Sequence, residues 1–478
     1  YNHWATAGFF GRLNYNYKEK YLLEVNGRYD GTSRFMKDQR WNFFPSFSLG
    51  WNVARENFWK PLESVVNQFK LRGSWGELGN QNTSNLYPFY EILPVKSNSG
   101  NWLVNGGKTN TADIPSLVST LLTWERVRSF NVGFDFGAFS NRLTGSFDYF
   151  VRKTVDMVGP APQLPLVLGI APAIVNNADM KSYGFEIELS WRDRIGEVDY
   201  GVKFNLADAQ QKVVKYPNTT NAFSDWYAGK MSGEIWGYTS LGIAKTDEEM
   251  KEHLASLPNG GQNQLGNKWG AGDIMYADIN GDGKVDGGKG TLADPGDQRI
   301  IGNSTPRYNF GLVLDASYKG FDVSIFFQGV GKRDYAPIVG TNGAVFWGAV
   351  NNIWQSMAME EHFDYFRPEG HPMGANLNGY YPRPDFTSNK NHQVQTRYLQ
   401  DASYIRLKNL QIGYTLPKQW INKLHINRCR VYVSGDNLWT GTSLASMFDP
   451  ETLAAGDWGS GKTYPLSKVI SFGLNVNF

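Results

Sequence analysis

Along most of this chain apolar and polar residues alternate one by one, the period of a β-strand with one face against an apolar medium. Tyr183, Phe185, Ile187, Leu189 and Trp191 alternate with Gly184, Glu186, Glu188 and Ser190. Val198, Tyr200, Val202, Phe204 and Leu206 repeat the pattern, as do Leu143, Gly145, Phe147, Tyr149 and Val151. The C-terminus sets Ile470, Phe472, Leu474, Val476 and Phe478 on one face and Ser471, Gly473, Asn475 and Asn477 on the other. About thirteen such runs occur, near 7–17, 20–30, 42–54, 68–78, 125–138, 141–154, 182–193, 197–211, 306–318, 321–331, 402–416, 428–438 and 467–478. Each is roughly ten residues or more, whereas strands of soluble sandwiches are usually about five or six. Aromatic residues close several apolar faces, Tyr183 with Trp191 and Tyr308 with Tyr318, as they do at the two interfaces of a membrane.

The connections carry a second pattern. Short ones at 18–19, 139–140, 194–196 and 319–320 alternate with long ones at 79–124, 155–181, 212–305, 332–401 and 439–466. Two middling turns, 55–67 and 417–427, fall on the short side. Short periplasmic turns and long extracellular loops are the layout of an outer-membrane barrel. Counting up and down puts every long loop on one side and sends the last strand toward the periplasm. The same parity places the β-like stretch IWGYTSLGIA (235–244) in the loop 212–305 rather than across the membrane. DEEMKEHLASL (247–257) and AVNNIWQSMAMEEHF (349–363) read as short helices inside loops. The fold expected is all-β, a transmembrane antiparallel β-barrel. An odd strand count does not close a bacterial single-chain barrel, so further strands are expected before Tyr1. The opening YNHWATAGFF, with no initiator Met and no signal peptide, points the same way.

Composition narrows the function. The 478 residues carry 47 basic and 45 acidic side chains, a net charge of +2, which gives no footprint for nucleic acid. No apolar run approaches the ~20 residues of a spanning helix. A single cysteine, Cys429, excludes an internal disulfide framework and reads as a packed thiol. Six histidines are scattered, EEHF (360–363) lacks the spacing of a zinc motif, and no phosphate-binding glycine loop is present. Glu186 and Glu188 share a strand face like a carboxylate pair, but with Lys203 they read as wall of a lumen. No catalytic constellation emerges, and the chain is not expected to be an enzyme.

One motif does carry chemistry. DINGDGKVD (278–286) brings Asp278, Asn280, Asp282 and Asp286 at the spacing of an EF-hand calcium loop, with Gly283 where the sharp turn falls. The twelfth position is Lys289, where a bidentate Glu would belong.

Several stretches resemble SusC/RagA-type TonB-dependent transporters: GRLNYNYKEKYLLEVNGRYDGTSRF (11–35), WNFFPSFSLGWNVA (41–54), LRGSWGELGNQ (71–81) and LTWERVRSFNVGFDFGAFSNRL (122–143). IIGNSTPRYNFGL (300–312), YKGFDVSIFFQGVGKRD (318–334), YYPRP (380–384), ASYIRLKNLQIGYTLP (402–417), VYVSGDNLWTGT (431–442) and YPLSKVISFGLNVNF (464–478) continue the resemblance in the family's order. The resemblance implies a barrel of about 22 strands with a plugged lumen, of which this chain would be the C-terminal portion, the plug and TonB-contacting segment preceding it. It implies import of a bulky nutrient, oligosaccharide or peptide, with a SusD-like surface lipoprotein and TonB, further surface lipoproteins, and two transporter–lipoprotein pairs in the outer membrane of a Bacteroidetes-type bacterium. Relatives carry an acidic residue just before the IIGN-like stretch, so Asp297 is the expected substitute for the missing carboxylate. The ligand set is then Asp278, Asn280, Asp282, the Lys284 carbonyl, Asp286 and Asp297 around Ca²⁺, or Mg²⁺, as a structural ion within 278–297. Trp226, Trp347 and Trp458, in long loops, are the candidates for stacking on substrate. The rival readings are a passive porin or adhesin barrel and a soluble β-rich glycan-binding protein or glycosidase.

Overall fold

The computed structural model describes residues 3–478 except 84, 116, 160–166, 168, 171–172, 338–343, 351–357, 387, 423–424 and 454–462. Thirteen strands form one large sheet: β1 (Thr6–Tyr17), β2 (Tyr21–Thr32), β3 (Trp41–Asn52), β4 (Val66–Asn80), β5 (Glu125–Ala138), β6 (Leu143–Gly159), β7 (Val175–Ile195), β8 (Val198–Lys215), β9 (Arg307–Tyr318), β10 (Phe321–Lys332), β11 (Tyr404–Thr415), β12 (Arg428–Thr442) and β13 (Val469–Asn477). Each lies beside its neighbour in sequence, the pattern of a meander, and the pairs run antiparallel. Every alternating run of the sequence is one of these strands. The strands β6 to β8 extend several residues past the alternating stretches, toward the long loops, where the pattern no longer marks them.

The short turns are shaped by backbone sterics. Lys18 and Glu19 both adopt the left-handed region, with φ of 52° and 54°, between the paired Tyr17 and Tyr21. Lys319 and Gly320 do the same between Tyr318 and Phe321. Two left-handed residues give a turn whose twist matches the right-handed twist of the strands it joins.

The chain divides into two compact units, Tyr1–Ile187 with Ala209–Asn221 and Asp225–Met231, and Glu188–Asp208 with Ala222–Ser224 and Ser232–Phe478. In the first unit one face of the sheet presents large apolar side chains to the exterior, among them Phe9, Leu13, Tyr29, Phe43, Phe47 and Trp75. Rings stack across strands at its two ends. Tyr17, Tyr21 and Trp51 stand with centroids 6.5 Å apart at the short-turn end, and Trp41 lies 6.2 Å from Phe9 and 5.1 Å from Tyr29 at the other. The opposite face is ionic. Arg72 reaches Asp135 (Nη2–Oδ1, 3.0 Å) and Asp148 (Nη1–Oδ1, 2.5 Å). Gly133 pairs with both Arg72 and Asp148 and leaves them room, since a Cβ there would come within 2.7 Å of Asp148 Oδ1. Above the sheet Phe35, Phe44, Leu122 and Trp124 make a small buried core.

In the second unit the same division holds. Phe321, Ile412, Phe472 and Leu474 are exposed, while Arg430 donates to Asp322 (Nε–Oδ1, 2.9 Å) and to Gln411 (Nη2–Oε1, 2.9 Å). Arg307 makes a two-pronged ion pair with Asp208. Cys429 is a buried free thiol. Exposing this much apolar surface in strand register is the property of a sheet solvated by lipid rather than water.

The stretch 235–244 stays in its loop as two short strands. Glu234–Gly237 pairs with Arg299–Asn303, and Ser240–Ile243 pairs with Ile274–Tyr276. The helix expected at 247–257 is α1 (Asp247–Ala255), started by Thr246, whose hydroxyl accepts from Glu249 N at 3.1 Å. Of the helix expected over 349–363, residues 351–357 lie outside the described residues; the described ends are 3₁₀ turns, Gly348–Val350 and Glu360–Phe363, and a helical turn precedes them at Ala344–Trp347. Gly348, at a φ of 65°, ends the helical turn Ala344–Trp347.

Candidate functional site at the long-loop end

The three long loops of the second unit share one hydrophobic core. The loop 212–305 contributes Tyr238, Ile274, Tyr276 and Val285; the loop 332–401 contributes Phe346, Trp347, Tyr381 and Tyr398; the loop 439–466 contributes Leu444, Phe448 and Leu453. Ring packs on ring: Phe346 lies 5.4 Å from Tyr381 and 5.9 Å from Tyr398. These segments therefore fold as a cap with its own interior.

Buried charge locks that cap. Asp273 is fully buried and accepts from Lys390 Nζ (2.9 Å), Arg383 Nη2 (2.8 Å), Asn391 Nδ2 (2.9 Å) and the Gly270 backbone (2.9 Å). Lys390, 1 % exposed, also donates to the carbonyls of Asn267 and Lys268, and its ammonium stands 5.0 Å from the Trp269 ring centre. A buried charge persists only with such full pairing. Sequence reasoning missed this cluster, because no local signal joins residues more than a hundred positions apart.

Of the three tryptophans expected to meet substrate, Trp347 lies instead in the cap core. It is 2 % exposed, 4.5 Å from the His392 ring and 4.8 Å from that of Tyr398. Its large apolar surface serves packing. Trp226, in the first unit, is 40 % exposed, with the Lys230 ammonium 5.8 Å from its ring centre. Trp458 lies outside the described residues. Burial lowers the His392 pKa to about 4, against a small opposing pull from Asp385.

The loop at 278–286 is a chain of side-chain turns. Asp278 accepts from the backbone of Gly281 (2.7 Å) and Gly283 (2.8 Å), Asn280 from Asp282 (3.0 Å), and Asp282 from Lys284 (3.2 Å). Gly281 and Gly283 take φ of 77° and 80°, which favour glycine. Asp297 comes back to this loop and is fully buried, accepting from Ile279 (2.7 Å), Asn280 (3.4 Å) and Asp286 (2.8 Å). Burial raises its pKa, the three backbone donors oppose that rise, and Asp278 adds to it. Lys284 places its ammonium 2.5 Å from Asp286, which lowers the Asp286 pKa. The donors are all oxygen, the type that a hard cation takes. They are not gathered about one point: among the described residues no three His, Cys, Asp or Glu side chains converge as metal ligands do. Glu186, Glu188 and Lys203 are exposed on their strands.

The family described as TonB dependent receptor-like, beta-barrel, matches residues 3–438. TonB-dependent receptor P3 of Formosa agariphila is 30 % identical over 507 aligned residues, taking in 100 % of this chain and 46 % of that protein. TonB-dependent receptor SusC of Bacteroides thetaiotaomicron is 24 % identical, across 99 % of this chain and 44 % of its own length. The RagAB peptide transporter superposes with a TM-score of 0.75 at 23 % identity, over 99 % of this chain and 48 % of that one. The chain thus spans just under half the length of these relatives. It belongs to the TonB-dependent receptor-like β-barrel family, integral to the outer membrane.

Proposed function

We propose that the protein imports a bulky nutrient, oligosaccharide or peptide, across the outer membrane, in a pair with a SusD-like lipoprotein and with energy delivered through TonB. In this reading the thirteen strands are part of a barrel of about 22, with a plug in its lumen, and two transporter–lipoprotein pairs assemble together. The observation that carries it is the two-faced sheet: a lipid-type apolar face, an ionic face of Arg72, Asp135 and Asp148, and self-folded loops at one end. A wall of paired charges suits a water-filled or plugged interior. One structural neighbour is the RagAB peptide transporter, which supports the substrate class without choosing between peptide and glycan.

The test is uptake by intact cells that express the protein, with and without TonB. Accumulation of nutrient that stops when TonB is deleted supports active import. Accumulation that continues unchanged returns the passive porin to first place, and recovery of the protein from the soluble fraction returns the soluble binding protein.

The same reading includes a structural Ca²⁺, or Mg²⁺, in the loop 278–297. Asp278, Asn280, Asp282, the Lys284 carbonyl, Asp286 and Asp297 would hold it. The ion would supply no reaction; it would neutralise carboxylates and tie Asp297 to the loop.

A further inference from the structure

The turn between β3 and β4 carries apolar side chains where a turn in water would carry polar ones. It contains a 3₁₀ helix, Asn57–Leu62, continued by a turn in which Val65 N donates to the Leu62 carbonyl at 3.0 Å. Side chains three apart eclipse in such a helix. Asn57, Lys60 and Glu63 thus form one stripe, Trp59, Leu62 and Val65 a second, and Phe58 with Pro61 a third. Phe58 is 63 % exposed, Leu62 50 % and Val65 47 %.

The turn is fastened to the outer, apolar face of the sheet. Trp51 belongs to the aromatic stack at the short-turn end, and Phe58 packs edge-on against it with ring centroids 6.4 Å apart. Trp59 stacks flat on Phe69 at 5.2 Å, and Phe69 is two residues from Leu71, the strand partner of Trp51, so it shares that face. Glu56 holds the start of the helix there. Its carboxylate accepts from Tyr21 Oη (2.7 Å), Trp51 Nε1 (3.2 Å) and Lys20 Nζ (2.9 Å). The polar ends of aromatic residues in a membrane girdle ordinarily meet headgroups or water; those of Tyr21 and Trp51 are taken up by the turn instead. Because these rings mark the headgroup level, the carboxylate bonded to both, and the helix that follows it, lie at that level as well. β3 has β2 on one side and β4 on the other, so the wall beneath the turn is complete within this chain.

We infer that residues 56–65 are an interfacial anchor whose partner is the phospholipid layer on the short-turn, periplasmic side of the membrane. Phe58, Leu62 and Val65 enter the boundary between headgroups and acyl chains, the stripe of Asn57, Lys60 and Glu63 faces water, and Glu56 is the positioning residue that keeps the turn down. The occupant follows from continuity: Tyr21, Trp51 and Phe58 carry the lipid-facing wall into the turn without a break. An amphipathic helix lying in the interface buries its apolar side roughly 5–10 Å deep, at the headgroup–acyl boundary. The anchor extends the protein's hold on the membrane past the ends of its strands, and it requires neither nutrient nor TonB.

The test uses the full-length protein in phospholipid vesicles, with its native cysteines replaced by serine and a nitroxide attached through Phe58→Cys, Leu62→Cys or Glu63→Cys, one at a time. Unchanged heat-modifiable migration on a gel verifies that each variant is folded. Collisions of the label with oxygen, which concentrates among acyl chains, and with a water-soluble nickel chelate report its depth. The ratio of oxygen to chelate collisions should be several-fold higher at positions 58 and 62 than at 63. Adding Glu56→Ala should shift the label at 58 toward the chelate. Labels at 58 and 62 as open to the chelate as the one at 63 would put the turn in water and overturn the inference. Labels shielded from both reagents would show a cover of protein, from elsewhere in the full-length chain or from a partner, and overturn the lipid assignment. A label at 58 that Glu56→Ala leaves unmoved would overturn the positioning role of Glu56.

Discussion

Asp273 and Lys390, 117 positions apart in sequence, meet at 2.9 Å with both side chains withdrawn from water. The pair joins the loop before β9 to the loop after β10, and Arg383 and Asn391 complete it from the second of these loops. Removing one partner of a buried ion pair costs about 3–5 kcal/mol, because the other charge is stranded. Asp273→Ala should therefore open the cap to protease and hydrogen exchange while the strands stay protected. Loops that exchange no faster in the variant would show that the pair holds nothing together.

His392 gives the cap a pH dependence. Its pKa in the folded protein falls to about 4, below the ordinary value of 6.5, because the imidazole is buried. A depressed pKa contributes stability that is present above 6.5 and is lost as pH falls through 4. The contribution at neutral pH is of order 3 kcal/mol. Protease resistance of the cap should decline between pH 6.5 and 4, and His392→Gln should flatten that decline. A decline of the same steepness in the variant would place the titrating group elsewhere.

Trp347 and Trp226 should respond in opposite ways to truncation. Trp347→Ala empties a site in the cap core, worth about 3–5 kcal/mol, and should expose the loops to cleavage. Trp226→Ala removes a half-exposed ring and should change stability by about 0.5 kcal/mol or less. If its ring meets the nutrient, binding weakens while the cap keeps its protection. Intact loops in Trp347→Ala would contradict the core role read from its burial.

Phe47 tests the lipid-facing surface. It is paired with Val25, which lies midway between Tyr21 and Tyr29 along β2, and is 46 % exposed. Phe47→Arg should lower the stability of the folded protein in vesicles by about 2–4 kcal/mol, read as a shift of the urea midpoint. An unshifted midpoint would mean that this face does not meet lipid.

The loop 278–297 should respond to calcium. Added Ca²⁺ should protect it from protease and a chelator should reverse the effect. Lys284→Met keeps the backbone carbonyl and removes the ammonium that sits on Asp286, so it should tighten calcium binding. Equal cleavage with calcium and with chelator would leave a polar turn held by its own hydrogen bonds.

What the sequence made legible follows from where the physics is local. Period-two alternation fixes which side of a strand meets lipid, so Phe472 and Leu474 announce β13 without help from any distant residue. The turn at Lys18 and Glu19 is legible for the same reason, since strand ends fix its length. The cap is different. Ile274, Phe346 and Phe448 are buried together from three loops, and nothing in the spacing of any one loop shows it. Trp347 looked like a substrate platform because an aromatic residue in a loop carries no mark of the core it joins. Asp297 was expected beside the loop because the resemblance places an acidic residue just before the IIGN-like stretch, and its carboxylate does accept from the loop backbone.

The two ring stacks on β1 to β3 have a consequence for the membrane itself. Tyr21 and Tyr29 are 8 positions apart on β2, about 26 Å along a strand at ~3.3 Å per residue, and about 20 Å along the bilayer normal once a tilt of roughly 40° is allowed for. Because aromatic rings anchor at the headgroup level, the protein carries a ruler for the apolar slab it accepts. A thicker bilayer would have to thin around this wall, at a cost that grows with each ångström of mismatch. Lipid chain length therefore sets how comfortably the strands sit, independently of any nutrient.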